Sequence, residues 1–403
     1  MPRVVPAQNL DPRFAAVGLR PGVDGAIVDA RIDHAAASRI VGGHLDVLPD
    51  PNEGGPIIGA MLRGDAEALI VAADAESGDA DLAAHLRVAA FRLGAAIELP
   101  NPDLISDPLV RAYALATRAH DAAASTDVDV AIGLLLDAAA CVASVSPGAA
   151  ARYVGEAAAI AEATGAEGSR GRLLLELERA ATKLDGMAFE ELRGELWMTR
   201  ARMIADAAQP ATLQESIRCY QRAVQAMPRR THPVAYAACH LNIAVAYLAM
   251  PMNQHASKLR AAIAVQSLRE SLDILTQAEH PELWEAATLN LANALQHLPS
   301  AHVAENLLEA VSLYERVLPR RTTPGPDRAR VLANLGNALA HLGRFEDALS
   351  HLEESRHIFE LVGNPDAFEG VTGVITEIET RRAAAATGAG GTAEGRAGAG
   401  CDA

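Results

Sequence analysis

Aromatic residues make up only 3% of the 403-residue sequence, with two tryptophans, six tyrosines and six phenylalanines. A chain so poor in large rings cannot fill one thick core. Its apolar half is mostly alanine and leucine, both strong helix formers. Alanine-faced helices approach closely but bury little area per contact, so stability has to come from many helices stacked in series. Basic residues are also scarce, 35 against 51 acidic ones, for a net charge of -16. That balance argues against a nucleic-acid partner, which calls for a basic stripe. No apolar run reaches membrane-spanning length, and the start, Met1-Pro2-Arg3-Val4-Val5-Pro6, lacks the apolar core of a signal peptide. The four cysteines (Cys141, Cys219, Cys239, Cys401) form no C-x-x-C pair, and Cys401 fails the prenylation pattern. A reducing, cytoplasmic setting without a membrane is expected. No H-E-x-x-H, G-x-S-x-G or P-loop occurs. The glycine cluster Gly388 to Gly391 follows no strand. No catalytic residue, cofactor or metal is assigned.

Residues 1–63 are broken by Pro21-Gly22, Gly42-Gly43, Pro49-Asp50-Pro51 and Gly54-Gly55-Pro56. They read as a poorly defined leader or docking arm, with one short helix over Asp33 to Leu48. From 64 to 188 apolar residues recur at three and four spacing, which predicts helices over Asp65–Glu76, Asp79–Leu99, Ser106–Ala124, Thr126–Val145, Ser146–Gly165 and Arg170–Asp185. Ser106 reads as the cap of the third and Gly165 as the left-handed stop of the fifth. Helices of this length on short turns make antiparallel hairpins. After Arg382 the chain is nearly all Ala, Gly and Thr, and 383–403 is expected to be a disordered tail.

Between 189 and 382 the sequence repeats itself. Leu241-Asn242-Ile243-Ala244-Val245-Ala246-Tyr247 returns as Leu289-Asn290-Leu291-Ala292-Asn293-Ala294-Leu295 and as Ala333-Asn334-Leu335-Gly336-Asn337-Ala338-Leu339. Leu291 follows Ile243 by 48 residues and Leu335 follows Leu291 by 44. Periods of this size mark a solenoid. Four hairpins are expected: Trp197–Asp206 with Ser216–Val224, Ala235–Met250 with Leu259–Leu275, Glu282–His297 with Ala304–Leu318, and Arg328–Leu342 with Phe345–Leu361. A helix from Pro365 to Arg382 would cap the open end. The fold class is therefore all-α, antiparallel helix hairpins stacked in an α-α superhelix.

These copies resemble the tetratricopeptide repeat (TPR) family. The nearest copy is Leu332-Ala333-Asn334-Leu335-Gly336-Asn337-Ala338-Leu339, then Gly343-Arg344-Phe345-Glu346-Asp347-Ala348-Leu349 and Leu352. Small residues at Gly336 and Ala348 would let paired helices touch while large ones fill the space beside them. Trp197 and Pro228 fall where the family places tryptophan and a helix end. The longer turns Pro251–Lys258 and Pro299–Val303 look like a TPR variant common in large bacterial repeat proteins. No motif residue marks 64–188 as repeats.

The resemblance implies a superhelix whose first helices line a groove for a protein or peptide partner. Asn242, Asn290 and Asn334 hold one equivalent place on three first helices, with Asn293 and Asn337 one turn further along and His297 and His341 at the helix ends. Amides in such a row exchange hydrogen bonds with a peptide backbone of any sequence; alternatively they bond neighbouring repeats. The lysine and arginine clamp of chaperone-binding members is missing, with Leu241, Ala286, Leu289 and Ala333 in its place. Arg229-Arg230 and Arg320-Arg321 would satisfy helix-end carbonyls, or else grip a partner's acids. The expected function is a non-catalytic scaffold for assembly, maturation or regulation of a complex, with self-association left open. The rival is an enzyme or ligand sensor with its site in the N-terminal third and the repeats as regulatory domain.

Overall fold

The computed structural model describes residues 65–78, 80–92, 94–205, 209–251, 256–298 and 300–390. The helix expected over 33–48, Asp79 and the tail from 391 onward lie outside them. Among the described residues all regular structure is helical: fifteen α-helices and two 3-10 turns. None of these helices is long and apolar enough to cross a membrane. The chain divides into two compact units, Met1–Asp206 and Ala207–Ala403.

The first unit holds α1 (Ala66–Ala75), α2 (Ala80–Arg92), α3 (Pro108–Ala124), α4 (Val128–Val142), α5 (Pro147–Thr164), α6 (Arg170–Lys183) and α7 (Glu190–Ala205). Each packs on its neighbour in sequence, and α7 lies on both α5 and α6. Two expectations need correction. α2 stops at Arg92 rather than Leu99, because Gly94 turns the chain with φ 94°. The N–H groups of Gly94 and Ala95 then close back on the carbonyls of Phe91 and Ala90 at 2.9 and 3.0 Å. The cap of α3 is Asp107, not Ser106: its carboxylate accepts the Leu109 and Val110 N–H groups at 2.8 and 3.1 Å. Ser106 and Asp107 in turn donate their own N–H groups to Asp81 at 2.8 and 2.9 Å. One carboxylate on α2 thereby fixes where α3 begins.

The second unit holds α8 (Pro210–Ala226), α9 (Pro233–Ala249), α10 (Ala256–Leu272), α11 (Pro281–Gln296), α12 (Val303–Val317), α13 (Pro326–His341), α14 (Phe345–Leu361) and α15 (Pro365–Gly390). α9, α11, α13 and α15 each open on a proline, whose fixed φ and missing N–H suit the first turn. The hairpins α9/α10, α11/α12 and α13/α14 match the sequence expectation. α15 continues past Arg382 to Gly390.

One packing device recurs in all three hairpins. A small residue on the first helix (Ala244, Ala292, Gly336) corresponds to a small and a large one on the second (Ala264 with Leu268, Ala310 with Tyr314, Ala348 with Leu352), and all are buried. At Gly336 the fit is tightest. A Cβ there would stand 2.6 Å from Leu352 Cγ and 3.1 Å from the Ala348 carbonyl, so the helices cross closer than any side chain allows. Each large member, taken out of water, contributes about 1.5–3 kcal/mol. Two of the hairpins add a buried serine tie: Ser271 Oγ donates to Ala237 O at 2.9 Å and Ser355 Oγ to Ala329 O at 2.8 Å.

Successive hairpins meet chiefly through α10 on α11, α12 on α13 and α14 on α15. Beyond that, first helices touch first helices: α9 runs against α11, α11 against α13 and α13 against α15. The second helices α10, α12 and α14 stand further from one another. The second unit therefore curves with its first helices on the inner side.

Candidate partner-binding groove

The inner face is built from α9, α11 and α13, and its chemistry is set by where charge is missing. No charged residue occurs from Thr231 to Ser257, from Ala286 to Ala304, or from Val331 to Gly343. α9 carries no Asp, Glu, Lys or Arg, and α11 and α13 carry none after Glu285 and Arg330. The charges sit on second helices, on turns and in the opening residues of α11 and α13, where many are paired with each other. Arg320 and Arg321 both reach Glu285, at 3.2 and 2.7 Å. Arg229 faces Glu270 at 3.5 Å, Arg269 holds Glu309 at 2.9 Å, and Arg328 holds Glu354 at 2.6 Å. Arg229, Arg320 and Arg321 thus serve the chain itself.

Asn242, Asn290 and Asn334 are each half-buried on these helices. Their amide nitrogens are all occupied. Asn242 Nδ2 donates to Ala238 O and Asn290 Nδ2 to Ala286 O, both at 2.9 Å and both within their own helix. Asn334 Nδ2 crosses from α13 to α11 and donates to Asn293 Oδ1 at 3.0 Å. The three amide oxygens accept nothing from the described residues, and none of them is among the buried polar atoms left without a partner. They are therefore open to solvent.

Asn293 is a junction rather than a free group. Besides Asn334, its Oδ1 accepts the Tyr314 hydroxyl at 2.6 Å, and Gln296 Oε1 lies 3.2 Å from the same hydroxyl. Tyr314 is fully buried, and burial pushes its phenol well above the usual range, so it stays protonated as a donor. The two uses foreseen for these amides are thus divided between them. Asn293 and Asn334 bridge neighbouring hairpins, while the oxygens of Asn242, Asn290 and Asn334 keep no partner among the described residues. Asn337 is half-buried with no hydrogen bond to the described residues. His297 and His341 are exposed at their helix ends. Sequence reading missed Tyr314 and Gln296. The signal for the tyrosine was available: it is the one polar-tipped residue at a place that Leu268 and Leu352 fill elsewhere.

Among the described residues no group of three or more His, Cys, Asp or Glu is arranged to hold a metal. In the first unit, the cleft between α1 and α2 is bordered by Asp74, Glu76 and Arg87, and Arg87 is paired to Asp74 at 2.8 Å. Cys219 and Cys239 are buried free thiols.

Residues 284–360, from Trp284 on α11 to the end of α14, match the family model described as tetratricopeptide repeat. This stretch of the chain is similar to tetratricopeptide repeats. Repeats of this family serve as protein-interaction scaffolds. Several solved TPR structures are similar. A kinesin-light-chain protein of Podosopora anserina with nearly identical TPR-like repeats is 22% identical, covering 53% of this chain and 95% of that one at a TM-score of 0.39. The TPR2AB domain of yeast Sti1, in complex with an Hsp90 peptide, is 15% identical over 66% of this chain and 98% of its own, with a TM-score of 0.26. A Rap protein in complex with Competence and Sporulation Factor is 12% identical over 81% and 94%, with a TM-score of 0.35. These likenesses are too loose to place a ligand. No curated protein matches.

Proposed function

We propose that this protein is a non-catalytic scaffold that holds a partner protein or peptide along the inner face of its repeats, for the assembly, maturation or regulation of a complex. One observation carries the reading: three equivalent asparagines, one per repeat, keep an oxygen without a partner among the described residues, on helix stretches poor in charge. Keeping a half-used amide at a helix-interior position, where alanine is the better helix former by roughly half a kcal/mol, has no benefit to the helix itself. The binding part lies within 189–382. Asn337, His297 and His341 form its edge.

The test is co-purification from cells with Asn242, Asn290 and Asn334 all changed to alanine. Two of the three changes remove only a bond within one helix, so the fold survives, as circular dichroism will verify. A partner recovered with the wild-type chain should be lost with the triple variant. Recovery in equal yield would refute the groove.

A further inference from the structure

The three hairpins α9/α10, α11/α12 and α13/α14 meet at two junctions, and the two are fastened on opposite sides. We infer that the first junction is a salt-released joint, closed on its outer side by one exposed ion pair, whereas the second is latched on its inner side and does not answer to salt.

The inner latch belongs to the second junction. Asn334 Nδ2 on α13 donates to Asn293 Oδ1 on α11 at 3.0 Å, and the Tyr314 hydroxyl on α12 donates to the same oxygen at 2.6 Å. One amide oxygen thus ties three helices from two hairpins. Tyr314 is fully buried, and interactions held away from water are little screened by dissolved ions. At the first junction the same three places hold Asn290, Val245 and Leu268. Valine and leucine side chains make no hydrogen bond. Asn290 turns its Nδ2 back to Ala286 O in its own helix at 2.9 Å. That latch cannot form there.

The outer clasp belongs to the first junction. Arg269, beside Leu268 on α10, holds Glu309, beside Ala310 on α12, at 2.9 Å. It links two second helices that stand further apart than the first helices do. The two side chains are 50% and 41% exposed, so water and ions reach the pair. At the second junction the corresponding places hold Glu315, beside Tyr314, and Asp347, beside Ala348. Two carboxylates cannot clasp, and Asp347 is held by Arg344 in any case, at 2.6 Å. Each junction has the fastening that the other lacks.

Screening Arg269 from Glu309 frees the outer ends of the first junction to part, so the curvature of the repeats answers to ionic strength at that one place. A single exposed pair sets the scale: at most about a fivefold shift between closed and parted forms.

The experiment uses the full-length chain with spin labels on non-natural side chains, which leaves the native cysteines in place, and reads distances by pulsed electron paramagnetic resonance. One pair of labels, at Ala262 and Leu308, spans the first junction; the other, at Ser312 and Ser350, spans the second. All four positions are exposed. Raising salt from about 0.05 M to about 1 M should increase the long-distance share of the first pair by up to about fivefold and leave the second pair unchanged. Arg269→Glu should give the first pair its high-salt distribution already at low salt, and adding Glu309→Arg should restore the closed form. Tyr314→Phe, which keeps the ring and removes the hydroxyl, should broaden the second pair alone, to the same degree at every salt concentration. Circular dichroism will verify that each variant folds. A first pair indifferent to both salt and Arg269→Glu overturns the inference, because the clasp would then hold nothing. Equal salt responses at the two junctions overturn it as well, and so does a salt response that persists in Arg269→Glu.

Discussion

The two units assemble similar helices by different means. In the first, arginines reach across to main-chain carbonyls. Arg111 Nε donates to Ile105 O at 2.9 Å, Arg200 Nε to Leu174 O at 3.1 Å, and Arg170 to Met203 O. Asp81 does the converse, accepting two N–H groups ahead of α3. In the second unit one small-on-large contact is reused hairpin after hairpin, and Arg328 on α13, donating to Arg321 O at 2.9 Å, adds a tether of the first kind. A repeated contact writes a repeated sequence. Individually placed tethers do not, since each serves one loop and recurs nowhere.

Three changes test that contrast, beginning with the strongest. Tyr314→Ala removes the large member of one contact and leaves Asn293 and Gln296 without their shared partner; it should cost about 3–5 kcal/mol. Denaturant melts will read the loss. Hydrogen exchange should place it in α11 to α14, and a loss spread evenly over both units would remove the contrast. Arg200→Met keeps the buried stem but frees the Leu174 carbonyl and Glu178, held by Arg200 at 2.8 Å. It should cost about 2–3 kcal/mol, felt in the first unit; a neutral result would mean that packing alone holds that unit too.

The smallest effect concerns His240, half-buried on α9 against the Tyr236 ring at 4.4 Å. Both its ring nitrogens are buried without a partner, and burial lowers its pKa below the ordinary 6.5. The unfolded chain therefore takes up this proton first. The stability that rests on the neutral ring is whole above pH 6.5 and is lost as pH falls through the lowered folded value. Between about pH 7 and pH 5, His240→Leu should flatten the decline in melting temperature. An unchanged slope would show that the ring is already solvated.

Legibility follows the same divide. α14 begins and ends where the sequence placed it, at Phe345 and Leu361, because a turn glycine, an aromatic and a small residue mark it in order. The end of α2 was misplaced, because leucine and alanine around Gly94 keep helical spacing while the backbone turns away. In the groove, the equivalence of the three asparagines was visible from the register alone. Which half of each amide stays free was not. That depends on a carbonyl one turn back and on Asn293 in the adjacent hairpin, which no local pattern reveals.

Inner helices that lie closer together than the outer ones make each hairpin a lever pivoted at its inner edge. A small swing of one hairpin on the next carries the outer helices through a wide arc and hardly shifts the pivot. Because the Asn334 to Asn293 bond sits at the pivot between α13 and α11, thermal breathing of the stack would move the outer surface while that bond stays nearly unchanged.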